Sequence, residues 1–219
     1  MTMKKSLHKV QRFELGHEAC ERLLPLPMVI ANEKKRVGRG GLSLVTPIVS
    51  QDGLKRIQDW ALLLDDNDEI VANDLGVLVM VDRDFRARPL IGRILGRNII
   101  LSLVGMIHDP VLAEEFLALL GKRIAGIECD ADSSPDVMFF LQSKMEIRPC
   151  HRSGKIFGVT RRCIFKAKVA DKFGACRKEC QHMKILAANA VLGKLFVLQE
   201  NALILHSSPS NGIKRMKDT

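Results

Sequence analysis

I-V-A-N-D-L-G-V-L, Ile70 to Leu78, is the stretch whose reading decides the fold. It opens on a short apolar, β-branched run, which suits a buried strand. Asn73 and Asp74 then predict a tight turn, because both side chains bond readily to nearby backbone. Upstream, Gly41 to Val45 reads as another buried strand. Between the two, Ser50 or Asp52 caps a helix reaching Leu64, with Leu54, Ile57, Ala61 and Leu64 spaced along one face. Trp60, the chain's single tryptophan, falls in that helix and is assigned to packing. Asp65 to Glu69, D-D-N-D-E, is a solvated turn.

The same alternation extends in both directions. Gln11 to Leu15 predicts a short strand, followed at once by Gly16-His17-Glu18-Ala19-Cys20 and by Pro25 and Pro27. A cysteine just past a strand end is placed to face a site at the carboxyl edge of a parallel sheet. Glu33 to Gly41, E-K-K-R-V-G-R-G-G, reads as a flexible basic loop. Pro89–Leu95 and Ile99–Leu103 are apolar pieces broken by Gly92, Gly96 and Gly105. Asp109-Pro110 opens a helix over Val111–Leu120. Ile124–Cys129 and Asp136–Leu141 read as strands. Leu195–Gln199 and Ala202–Leu205 form a hairpin-like pair around Glu200 and Asn201. Alternating strands and helices imply an α/β fold with a largely parallel sheet.

At 219 residues, one domain over 1–207 is expected, with a disordered tail at 208–219. The longest apolar runs, Ile99–Ile107 and Val191–Leu198, are too short to span a bilayer. The basic N-terminus has no apolar core of a secretory signal, so a cytoplasmic location is expected. The sequence carries no P-loop, dinucleotide fingerprint, G-x-S-x-G or H-E-x-x-H.

Chemistry concentrates in the last third. Arg161 to His182 holds Cys163, Cys176 and Cys180, separated by twelve and then three residues. Six cysteines without a secretory signal point to metal binding rather than a disulfide framework. Between Lys144 and Lys184 stand twelve Lys/Arg and three acids, a surplus equal to the +9 of the whole chain. Thiolates near positive charge suit an iron–sulfur cluster, since each ligand binds deprotonated and the cluster is negative. Zinc is the rival metal, because C-x-x-x-C is acceptable to it. The same basic region 144–184 could instead meet RNA phosphates. Among the other cysteines, Cys129 reads as a small buried residue, while Cys150 competes for a ligand place. His17, His151 and His182 flank cysteines; they read as surface or hydrogen-bonding residues, with ligation of a cluster as the alternative.

Taken together, these motifs resemble the collagenase-like peptidase U thirty-two family, nearest the iron–sulfur accessory proteins of oxygen-independent ubiquinone biosynthesis. Gly16 to Cys20 resembles an early G-E-x-x-C motif, with His17 where the family has glutamate. Asn73-Asp74-Leu75-Gly76-Val77-Leu78 resembles its N/S-D-x-G-x-L turn. Arg162-Cys163, Cys176 and Cys180 resemble its cysteine cluster, and Leu195–Gln199 its v-F-V-L-N strand. The likeness runs from about Phe13 to Ser207.

The resemblance implies an incomplete or modified (β/α) barrel with a cysteine-rich loop and a short hairpin. It implies a 4Fe–4S cluster on Cys20, Cys163, Cys176 and Cys180, with Cys150 left open as an alternative to Cys20. It further implies a component of oxygen-independent hydroxylation, or a related redox modification, of a quinone precursor or an RNA base. The alternative is a non-catalytic iron–sulfur or scaffold subunit. Relative to family members the chain lacks an initial strand–helix unit and a final barrel segment. Open sheet edges are commonly covered, so a homologous subunit or larger assembly is the expected partner. No Ser/His/Asp or zinc-protease constellation supports the family's peptidase name.

Overall fold

The computed structural model describes residues 12–38, 41–129 and 135–150, together with the backbone of the strands Lys155–Val159, Ile185–Asn189, Lys194–Gln199 and Ala202–Leu205. The chain divides into two compact units, Met1–Cys150 and His151–Thr219.

In the first unit six strands alternate with helices: β1 (Phe13–Gly16), α1 (Pro27–Val37), β2 (Leu42–Thr46), α2 (Gln51–Gln58), β3 (Glu69–Ala72), α3 (Leu75–Asp84), β4 (Arg88–Ile91), α4 (Arg93–Met106), α5 (Pro110–Leu120), β5 (Gly126–Cys129), α6 (Pro135–Gln142) and β6 (Glu146–Pro149). All pairings are parallel, in the order β1-β2-β3-β4-β5-β6. A doubly wound sheet reverses its strand order. This one never does, so successive crossovers advance one way and the sheet curls into half a (β/α) barrel, as expected of an incomplete barrel.

Alternation along each strand separates two faces. Leu42, Leu44, Ile70, Ala72, Ile91, Ile127 and Cys129 join the large apolar cluster that also takes in Trp60 of the α2–β3 connection and residues of α1 to α6. A smaller cluster of Val45, Val71 and Leu90 occupies the other, concave face. Around it the concave face is charged. Glu69, wholly buried, receives the Arg148 guanidinium from β6 and Arg12 Nε at 3.2 Å. Strands three apart in a flat sheet are separated by about 14 Å. The β3–β6 ion pair therefore needs the curl. Burial opposes charge on Arg148, but the bond to Glu69 and the charges of Glu69 and Glu146 outweigh it and raise its pKa.

Several local expectations change. Pro27 starts a helix at its first turn, and α1 continues through most of the segment expected to be a basic loop. Tertiary contacts explain this: Ile30 is buried, and Lys34 reaches Asp65 at 2.8 Å and the buried Asp68 at 2.5 Å. Asp136–Leu141 is not a strand. It lies in α6, where Pro135 occupies the first turn and Val137 and Leu141, four apart, are the buried positions. The strand Glu69–Ala72 stops at Asn73; Asp74 caps α3 by accepting from Gly76 N–H, so Leu75–Leu78 is helical. The apolar pieces broken by glycines are β4 and one continuous α4. Gly96 belongs there because a Cβ would lie 2.8 Å from the Glu128 carbonyl, so the glycine lets helix and strand approach. The helix expected to reach Leu64 ends its regular part at Gln58, with Ser50 capping it through Gly53 N–H.

The Asp68 carboxylate also accepts from Leu42 N–H at 2.8 Å and Asp65 N–H at 2.9 Å, joining the starts of β2 and β3. Lys34→Met leaves that buried carboxylate without its cation, and a loss of about 2–3 kcal/mol is expected by denaturant titration. Hydrogen bonds from Lys34 and Asn67 N–H, together with the Lys34 charge, hold the Asp65 pKa below the usual carboxylate value. This contribution is fully present above the ordinary carboxylate pKa and is lost as pH falls through the lowered one. At Lys34 burial opposes the charge, yet bonds to Asp65 and Asp68 win and raise its pKa. That contribution is present below the ordinary lysine pKa and fades as pH rises through the raised one. Lys34→Met should therefore flatten both the acid and the alkaline limb of the stability–pH curve.

The second unit contains a four-stranded antiparallel sheet of β7 (Lys155–Val159), β8 (Ile185–Asn189), β9 (Lys194–Gln199) and β10 (Ala202–Leu205), in the order β7-β10-β9-β8. The expected hairpin is β9–β10, with Ala202 opposite Gln199. The strands β7 and β8 were not expected. Residues 160–184, which include the three-cysteine stretch, connect the two edge strands of this sheet. No helix among the described residues is long and apolar enough to cross a membrane.

Candidate functional site at the carboxyl edge of the parallel sheet

In a parallel α/β arrangement the loops after the strands gather at one edge, and side chains from different strands meet there. The β1 loop is held by several such contacts. Gly16 has φ +102, and a Cβ there would fall 2.2 Å from the Val45 carbonyl, so glycine is required where β1 presses on β2. His17 N–H continues the ladder to the Val45 carbonyl at 3.1 Å. The His17 ring then turns onto its own loop, with Nδ1 accepting from Ala19 N–H at 3.0 Å. This is the hydrogen-bonding role expected of it.

Glu18 crosses the mouth. Its carboxylate accepts from Arg93 Nε at 2.9 Å and Nη2 at 2.5 Å, and the two side chains are 9% and 2% exposed. Cys20 follows two residues later, 6% exposed, immediately before the 3-10 turn Glu21–Leu23. On its far side Glu21 accepts from Ser50 N–H at 2.8 Å, and Arg56 donates to the carbonyls of Glu21 and Leu24 at 3.2 and 3.1 Å. Residues 17–24 are therefore bonded to β2, to α2 and to the start of α4.

Neighbouring loops are bonded to one another as well. Asn73, buried, donates to the Thr46 carbonyl at 2.8 Å and accepts from Ile94 N–H at 2.9 Å, joining the ends of β2 and β3 to the first turn of α4. Asp74 caps α3 and takes Val49 N–H at 3.3 Å, so its role is structural. At the opposite end of the curl, Cys129 closes β5 and Cys150 follows β6, joined by a 3.1 Å bond from Cys150 N–H to the Cys129 carbonyl. Cys129 lies in the helix-side apolar cluster, the small buried residue expected.

Cys20 and Cys150, the two contenders for one ligand place, thus follow the two outer strands, β1 and β6. Cys163, Cys176, Cys180, His151 and His182 lie outside the described residues. Among the described residues no three His, Cys, Asp or Glu side chains converge as a metal group. Lys144 and Arg148, the basic residues of 144–184 whose side chains are described, are engaged internally, Lys144 with Glu114 at 2.6 Å and Arg148 with Glu69.

Sequence reading missed Glu18 and Arg93. Arg93 did carry a signal, being a lone cation directly after the apolar strand P-L-I-G. Comparison with protein-family models, curated proteins and solved structures gave no match to this chain.

Cys20 suits a soft-metal or cluster ligand on two counts. The residue is buried, and its loop is bonded to β2, α2 and α4 through protein groups. Arg93 supplies a buried cation at the same mouth, although Glu18 neutralises most of its field.

Proposed function

We propose that this chain is a 4Fe–4S protein held by Cys20, Cys163, Cys176 and Cys180, working as one component of an oxygen-independent hydroxylation or related redox modification. The substrate class is a quinone precursor or an RNA base. The observation that carries the proposal is the buried Cys20 on a loop braced from both sides at the sheet's carboxyl edge. The three-cysteine stretch with its basic surplus supplies the remaining thiolates and compensating charge. A bound cluster would supply one-electron transfer or activation of an oxygen donor. The chain's own residues bind and orient: Cys20 offers a preplaced thiolate, and the tied loops after β2, β3 and β4 form the wall of the mouth.

A second reading is favoured by one feature. Six parallel strands close only half a barrel, and β1 and β6 each have one partner strand among the described residues. A catalytic mouth completed by another chain makes this protein a cluster-bearing or scaffold subunit, with a homologous protein or a larger assembly as its partner.

An anaerobic pull-down of the tagged chain, with iron, sulfide and co-purifying proteins quantified together, tests both readings. Iron and sulfide in equal amounts with a stoichiometric partner is the expected result. A colourless protein holding one zinc would refute the cluster.

A further inference from the structure

The Glu18–Arg93 pair poses an energetic question. Removing both charges from water costs several kcal/mol, and apolar residues of similar volume often serve stability as well or better. Its geometry is nevertheless demanding. Two donors of one guanidinium meet two oxygens of one carboxylate, nearly sealed from solvent, between loops of strands three apart. Such a fork fixes orientation as well as distance. Bonds at His17, Glu21 and Leu24 reach β2 and α2, the loop's immediate neighbours. The fork carries the loop's ties on to α4, which follows β4. Arg93 is itself fixed: it opens α4, whose next residue is bonded through Asn73 to the ends of β2 and β3.

We infer that Arg93, acting through Glu18, is a positioning residue for the Cys20 thiol, holding residues 17–24 across the curl so that the thiol stays buried at the carboxyl edge. The inference deepens the cluster reading by naming what preorganises one ligand, but its primary test does not depend on a cluster being present. Breaking the fork lets the loop open locally without unfolding the apolar core. Cys20 then reacts in proportion to the population of the open loop.

The test compares the full-length wild type with Arg93→Met/Glu18→Met, a pair chosen because it removes both charges of the fork together. Both proteins are stripped of metal with a chelator under reducing conditions. Alkylation by iodoacetamide is followed at each cysteine by peptide mass spectrometry, with Cys129 as the internal reference for the core. Cys20 labelling faster by about tenfold or more, with Cys129 unchanged, is the expected result. A smaller change at Cys20, or a parallel rise at Cys129, would overturn the assignment. Should the double variant fail to fold, Arg93→Lys is read by the same criterion, since lysine keeps the charge but cannot span both oxygens. Iron and sulfide in the untreated wild type report separately on the cluster. If both are absent the cluster reading fails, while the labelling ratio still decides what Arg93 does.

Discussion

Glu69→Ala should destabilise the first unit by about 3–5 kcal/mol, the cost typical of breaking a buried ion pair from one side. Glu69 is 0% exposed and meets two guanidiniums, Arg12 from before β1 and Arg148 from β6. Deleting the carboxylate leaves both cations facing a small apolar patch of Val45, Val71 and Leu90 with their common partner gone. Arg12 has little left to fall back on, since its Nη1 is already buried without a hydrogen-bond acceptor. Arg148 retains Glu146, at 3.4 Å, as a weaker and more exposed partner. A surface pair in the same unit provides the control. Arg86 and Asp66 are each 72% exposed, and Asp66→Ala should change stability by no more than about 0.5 kcal/mol. Denaturant titration should show the midpoint falling for Glu69→Ala with an unchanged slope. Equal effects of the two substitutions would mean that the concave face is not organised around Glu69.

Cys20→Ser should reduce iron and sulfide in anaerobically purified protein to below about a tenth of wild type, because serine is a poor replacement for a thiolate and the loop cannot offer another sulfur. Cys150→Ser should leave both near wild-type levels. The contrast matters because the two cysteines occupy similar places, each just past an outer strand. Their surroundings differ. Cys20 is buried in a loop tied to three other elements, whereas Cys150 is partly exposed directly before the second unit. A metal site gains affinity from ligands held in place beforehand. The reverse outcome, with Cys150→Ser colourless and Cys20→Ser brown, would move the fourth ligand to β6.

Much of the parallel sheet was legible in the sequence because its strands are buried on both faces and read as short apolar runs between turn residues. Ile70–Ala72 and Leu42–Val45 show this. The errors came where local composition and tertiary contact disagree. Glu33 to Arg36 reads as a polar loop, yet Lys34 has a buried carboxylate to reach, and that contact helps keep the segment helical. Val137 and Leu141 sit among enough apolar neighbours to imitate a strand, and the helix signal was Pro135. Cys20 stands out in the sequence by its place after a strand. Glu18 and Arg93 do not, because they lie 75 positions apart and an ion pair across a curled sheet leaves no periodic trace.

The central proposal is that Cys20 and the cysteines of the 161–182 stretch are ligands of one cluster. Its most direct test is iron and acid-labile sulfide per chain in anaerobically purified wild type and Cys20→Ser, measured side by side with absorbance at about 400 nm, where sulfur-to-iron charge transfer in a cluster absorbs. About four of each in a brown wild type, with a colourless Cys20→Ser, is the predicted result. A colourless wild type, or a Cys20→Ser variant as brown as its parent, would contradict it.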